Sequence, residues 1–143
     1  MIISSSFKSL KLTPDKFLKN RPVQLRKVVQ NARIVQDCIL IVDIDNVSGE
    51  IIGYLCTGTC GGDKPCELQI EWNKKKTGGI FYCACEKKRP KYCYLWVKFA
   101  HDRKGRPHMK LWGCKGKCED KKKCTPNRFG DNPRVDTLVC ECR

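Results

Sequence analysis

Twelve cysteines in 143 residues fall into two runs of six with nearly the same spacing. The first run is Cys38, Cys56, Cys60, Cys66, Cys83 and Cys85. The second is Cys93, Cys114, Cys118, Cys124, Cys140 and Cys142. The intervening residues number 17, 3, 5, 16 and 1 in the first run, and 20, 3, 5, 15 and 1 in the second. The sequences around them also align, YLCTGTC beside WGCKGKC and IFYCAC beside TLVCEC. A spacing repeated with its flanks marks an internal duplication of one small unit. Residues 38–92 form the first copy and 93–143 the second, after a cysteine-free segment, 1–37.

A unit of about 50 residues buries too little apolar surface to outweigh chain entropy comfortably. Cross-links supply the difference. A bridge closing a loop of about 15–30 residues contributes roughly 3 kcal/mol, so three would dominate the stability of each copy. The expected class is therefore a small, disulfide-rich, mainly β protein.

Alternating apolar runs support the β reading. In the first copy Cys38–Asp45 reads as a strand, 46–50 as a turn and Ile51–Cys60 as the returning strand. Glu67–Trp72, a turn at 73–79 and Ile80–Cys85 make a second hairpin. In the second copy Cys93–Ala100 goes out, 101–108 turns and Met109–Cys118 comes back. There the second hairpin reads weakly: Thr125–Pro133 (TPNRFGDNP) is turn-rich, and only Val135–Cys142 has strand character. The leading segment reads as a helical arm, with Thr13-Pro14 as one start signal and Asn20 through Pro22 as another. Leu25, Val28, Val29 and Val35 form its narrow apolar stripe. Such an arm needs a partner surface to become ordered.

Each copy also carries CxGxC and CxC. If the first pair bridges the second, backbone and two disulfides close a small ring through which a third bridge can pass. A side chain in the middle of the five-residue arc would crowd that opening, so glycine is expected there. Gly58 and Gly116 occupy that place in the two copies.

This pattern resembles the growth-factor cystine-knot superfamily, closest to its platelet-derived and vascular endothelial growth factor branch, over roughly residues 38–143. The resemblance implies the pairs Cys38–Cys66, Cys56–Cys83 and Cys60–Cys85, then Cys93–Cys124, Cys114–Cys140 and Cys118–Cys142. It further implies two tandem cystine-knot-like modules of β-hairpins following the basic arm. Knots of that superfamily usually pair as dimers, so two in one chain look like a covalent pseudo-dimer. Zinc is the rival use of the thiols, with Cys56, Cys60, Cys83 and Cys85 as one ligand set and Cys114, Cys118, Cys140 and Cys142 as its twin. That set lacks the usual CxxC knuckle and leaves Cys38, Cys66, Cys93 and Cys124 without a role.

The net charge of +14 is uneven. Residues 1–37, 38–92 and 93–143 carry +6, +1 and +7. The arm and the loop runs Lys74, Lys75, Lys76 and Lys121, Lys122, Lys123 are candidate contacts for an acidic partner, against the plainer reading of solvated loops. No apolar run approaches the ~20 residues of a membrane span. The opening residues lack the apolar stretch of a secretory signal, whereas bridges call for an oxidising compartment. Asn46-Val47-Ser48 is a glycosylation sequon, usable only on export. Trp72, Trp96 and Trp112 fall on strands and are expected to pack. No nucleophile–base pair, phosphate loop or metalloprotease motif points to catalysis. The expected function is a non-enzymatic, disulfide-stapled structural or interaction protein without a cofactor, for instance a minor component of a virion or other extracellular assembly. The alternatives are a secreted growth-factor-like ligand and a zinc-dependent nucleic-acid binder.

Overall fold

In the computed structural model the described residues are 11–13, 21, 23–35, 38–86, 93–101 and 107–143. The first predicted helical start, at Pro14, lies outside them. The second predicted segment is a helix, α1 (Val23–Val35), whose Leu25 and Val29 are fully buried. Its apolar stripe is narrow because only one side meets the protein.

Ten strands follow. They are β1 (Ile39–Asp45), β2 (Ile51–Thr57), β3 (Thr59–Cys60), β4 (Lys64–Pro65), β5 (Glu67–Trp72) and β6 (Gly78–Ala84) in the first copy. The second copy supplies β7 (Tyr94–His101), β8 (Pro107–Lys115), β9 (Cys124–Asn132) and β10 (Val135–Cys142). The small, disulfide-rich, mainly β class is therefore as expected.

The expected weak second hairpin of the second copy is instead a full one. β9 pairs with β10 from Cys142↔Cys124 to Val135↔Asn132. Its turn-like residues are tolerated because β9 is an edge strand. Pro126, lacking an N–H, needs only its inner side to meet β10, and a register irregularity near Gly130 absorbs the rest.

The two copies share the register of their hairpins. Leu40 pairs with Cys56 as Leu95 pairs with Cys114, and Leu68 pairs with Cys83 as Pro126 pairs with Cys140. Even the irregularity recurs, between Asp43 and Ile44 in one copy and between Lys98 and Phe99 in the other.

They are not side-by-side beads. One sheet has the order β2-β1-β10-β9 and the other β5-β6-β7-β8. Each sheet thus joins the first hairpin of one copy to the second hairpin of the other. The two seams, β1–β10 and β6–β7, are equivalent under exchange of the copies, which gives the molecule a pseudo-twofold axis. The seams are not in identical register. Ile41 faces Val139, whereas its counterpart Trp96 faces Ile80 rather than Tyr82, a slip of two residues. An even slip leaves every side chain on its own face, so the core is unaffected.

The core lies between the sheets. Val42, Ile44, Tyr54 and Leu138 from one meet Phe81, Leu95, Val97, Phe99 and Met109 from the other. Phe81 and Phe99, one from each copy, stand 6.0 Å apart between ring centres, with Trp72 5.9 Å from Phe81. Trp112 packs at the margin. On the far side of the first sheet, α1 covers Ile41, Leu55 and Val139. β1 is therefore buried on both faces, which explains why its sequence, ILIVDID, hardly alternates.

Candidate functional site

The six bridges are Cys38–Cys66, Cys56–Cys83, Cys60–Cys85, Cys93–Cys124, Cys114–Cys140 and Cys118–Cys142, and no cysteine is free. These are the pairs that the resemblance implies. In the first copy, Cys56–Cys60 and Cys83–Cys85 with their two bridges close a ring, and the Cys38–Cys66 bridge packs against it. The sulfurs of Cys38, Cys60, Cys66 and Cys85 all lie within 4.8 Å of one another, with Cys38 Sγ 3.8 Å from Cys85 Sγ. In the second copy, the sulfurs of Cys93, Cys118 and Cys142 converge in the same way.

Gly58 and Gly116 sit at φ 82° and 128°, the region that side chains disfavour. The five-residue arc turns there, so the glycines serve backbone conformation at the ring.

Cys56–Cys83 joins β2 to β6 and Cys114–Cys140 joins β8 to β10, in each case the first hairpin of a copy to its second, and those hairpins lie in different sheets. Disulfides therefore tie sheet to sheet within a copy, while hydrogen-bonded seams tie copy to copy. The bridges sit at one end of the molecule and the hairpin turns at the other.

The alternative zinc sets do not survive this arrangement. Cys56, Cys60, Cys83 and Cys85 are spent in two bridges, as are Cys114, Cys118, Cys140 and Cys142. A disulfide sulfur is not the thiolate that zinc requires.

At the turn end, Asp45 accepts hydrogen bonds from the N–H groups of Val47 and Ser48 at 2.9 and 3.2 Å. Arg134 adds an ion pair at 3.3 Å. These contacts hold the Asp45 carboxyl below its ordinary pKa, the Val47 bond contributing most. The exposed Asn46 donates its side-chain amide to the Pro133 carbonyl, so turns from the two copies are joined.

The basic runs do not converge. Lys74–Lys76 lie exposed in the turn between β5 and β6, shaped by Asn73 hydrogen bonds to Thr77. Lys121–Lys123 lie exposed at the bridge end, where Lys123 and Arg143 exchange two backbone hydrogen bonds. They belong to opposite ends and make no common anion site.

A cluster that sequence reasoning missed lies beneath the arm. Asp43, 3% exposed, accepts hydrogen bonds from Arg21 at 2.5 Å and Thr137 at 2.6 Å. Arg21 also reaches Thr137 at 3.1 Å. Arm, first copy and second copy meet at this point. The only sequence signal was an aspartate inside an apolar strand, a buried charge that needs a partner.

Comparison of the chain with protein-family models, with curated proteins and with solved structures finds no match. No helix among the described residues is long and apolar enough to cross a membrane. Six disulfides fit an oxidising, extracellular environment.

Proposed function

We propose that this chain is a non-enzymatic, disulfide-stapled assembly protein, built as a single-chain counterpart of a two-knot cystine-knot dimer and acting through protein–protein contacts. The observation that supports this reading is the exchange of hairpins between the copies. Both sheets are shared and one core serves both copies, so the repeat is spent on a rigid body rather than on two independent binding modules. A virion or another extracellular assembly is the setting that combines such a body with a strong positive charge. The test is to isolate the chain from its source with thiols blocked. It is expected to carry six bridges and to co-fractionate stoichiometrically with other proteins after nuclease treatment. A chain released by nuclease, or one carrying free thiols and zinc, would overturn the proposal.

A secreted growth-factor-like ligand is the second reading. It is favoured by the exposed turn at Asn46–Ser48, where Val47 is 77% exposed beside a usable sequon. A glycan on Asn46, together with saturable binding of the isolated monomer to cells, would select this reading.

A further inference from the structure

The cysteine spacing gives the two copies matching positions at the bridge end, and the charges at those positions differ. Residues 57–65 with 84–86 carry Lys64 against Asp63 and Glu86, a net charge of −1. The matching residues of the second copy, 115–123 with 141–143, carry five lysines and Arg143 against Glu119, Asp120 and Glu141, a net charge of +3. Lys115 and Lys117 stand where the first copy has Thr57 and Thr59, Lys123 where it has Pro65, and Arg143 where it has Glu86. Each of the six cations lies within three residues of Cys118, Cys124 or Cys142. The Cys93–Cys124 and Cys118–Cys142 bridges therefore gather them onto one rim.

Lys115, Lys117, Lys121, Lys122, Lys123 and Arg143 are all exposed. Lys123 and Arg143 exchange backbone hydrogen bonds at 2.7 and 3.0 Å, which sets them directly opposite each other on one face of the ladder. Like charges in that relation repel. Glu141 meets Arg143 at 3.2 Å and also accepts from Asn127. Among the described residues no carboxylate lies within ion-pair distance of Lys117, Lys121, Lys122 or Lys123. Lys115 is placed by its carbonyl, 3.3 Å from Cys124 Sγ, and its ammonium stands 5.5 Å from the Trp96 ring centre. The turn adds a second cost. Asp120 and Lys121 hold φ of 54° and 62°, whereas the first copy has Gly62, at 76°, in the place of Asp120. Glycine makes a left-handed turn freely, and a residue with a Cβ does not. Repulsion and backbone strain are thus both tolerated on a rim whose counterpart has neither, which marks the charges as useful.

We propose that this rim is a binding surface for a sulfated polysaccharide. A linear polyanion draws its affinity from the row of charges itself, through release of counterions, and needs no apolar centre. A protein partner fits less well. Interface cores are depleted of lysine, and the exposed large hydrophobic residues Val23, Val47, Ile52 and Leu111 all lie off the rim. A nucleic acid also fits less well. Six disulfides call for an oxidising, extracellular setting, where sulfated glycans are the abundant polyanions. The Trp96 ring beside the rim is taken by Lys115, so it offers bases no stacking platform. This inference goes beyond the assembly reading and shares with it only the oxidising setting.

The test titrates the full oxidised chain with a defined heparin oligosaccharide, its desulfated counterpart and a single-stranded RNA of the same charge, across a salt series. The sulfated probe is expected to bind with an affinity that falls steeply as salt rises, and the other two about tenfold more weakly or worse. The triple variant Lys121→Gln, Lys122→Gln, Lys123→Gln should weaken sulfated-probe binding roughly tenfold or more and flatten its salt dependence. The control is Lys74→Gln, Lys75→Gln, Lys76→Gln, which removes the same charge from the opposite end. It also includes one left-handed lysine, Lys76 at φ 57°, so the two variants are matched in backbone as well. The control should change affinity by less than about twofold. On the unaltered chain, the glycan should shield Lys117 and Lys121–Lys123 from acetylation and leave Lys74–Lys76 reactive. No binding, equal weakening by both triple variants, RNA binding as tight as the sulfated probe, or shielding of the turn-end lysines instead would overturn the proposal. Co-fractionation with an assembly tests the broader reading separately.

Discussion

Two carboxylates two residues apart on β1 serve different ends. Asp43 is buried under the arm, and its charge is met by Arg21 and by the Thr137 hydroxyl. Removing one partner of such a buried pair costs more than the pair contributes, because the remaining charge stays desolvated. Arg21→Ala should therefore destabilise the oxidised protein by about 3 kcal/mol, whereas pairing it with Asp43→Asn should recover part of the loss; denaturant unfolding of both variants measures this. Asp45 is a solvent-side group whose folded pKa lies below 3.8. A depressed carboxyl pKa stabilises the fold above the unfolded value, and that stabilisation disappears as pH falls through the folded one. Asp45→Asn should flatten the acid limb of the stability curve below about pH 4 and leave the neutral region nearly parallel to wild type. Tyr54 acts at the other extreme. Burial, then the charge of Glu67, raises its pKa above 10.0, so the stability it contributes is present below pH 10 and lost as pH rises further.

Among the strands, the seams rather than the hairpins are the vulnerable points. Each hairpin is local in sequence and clamped by disulfides, but β6 meets β7 only through hydrogen bonds and side-chain packing. Gly78 lies at that seam, where an added Cβ would stand 2.2 Å from the Val97 carbonyl oxygen. No side-chain adjustment relieves a clash with backbone, so Gly78→Ala should separate the seam locally and cost 2 kcal/mol or more, on the order of an overpacked core. Gly61 provides the control, since nothing lies within 4 Å of its Cβ position. Gly61→Ala should be close to neutral in the same unfolding measurement. The weak-looking strand β9 illustrates the converse. Its composition argues against a strand, yet bridged cysteines at Cys124 and Cys142 and a ladder to β10 interrupted only near Gly130 hold it extended.

At the level of the whole molecule, covalent and non-covalent connections run along different directions. All six bridges lie within copies, whereas both seams and the core run between copies. A protease site placed between Lys87 and Tyr92, cut after folding, should leave a protein with unchanged far-ultraviolet circular dichroism under native conditions. The same nicked protein should separate into two fragments in denaturant without reductant, as mass spectrometry would show. Fragments that part under native conditions would mean that the shared core contributes little to holding the copies together. Neither copy is expected to fold alone, because each would expose half of two sheets and half of one core.

The duplication, the six-cysteine spacing, the glycine in each ring and most strands were legible in the sequence, because local spacing and period-two patterning determine them. The amphipathic stripe of α1 was legible for the same reason, and its narrowness already called for a covering surface. Which hairpin would pair with which was not legible. Hairpin partners are near in sequence, but the β1–β10 seam joins distant residues such as Ile41 and Val139, and no local pattern encodes a choice between pairing within a copy and across copies. The Arg21–Asp43–Thr137 cluster was hidden for the same reason: its members come from the arm and from both copies, and only the exchange brings them together. Local chemistry specified the elements and their staples. Tertiary structure decided the exchange, since burying both sheets over one core removes more apolar surface from water than two separate small cores can.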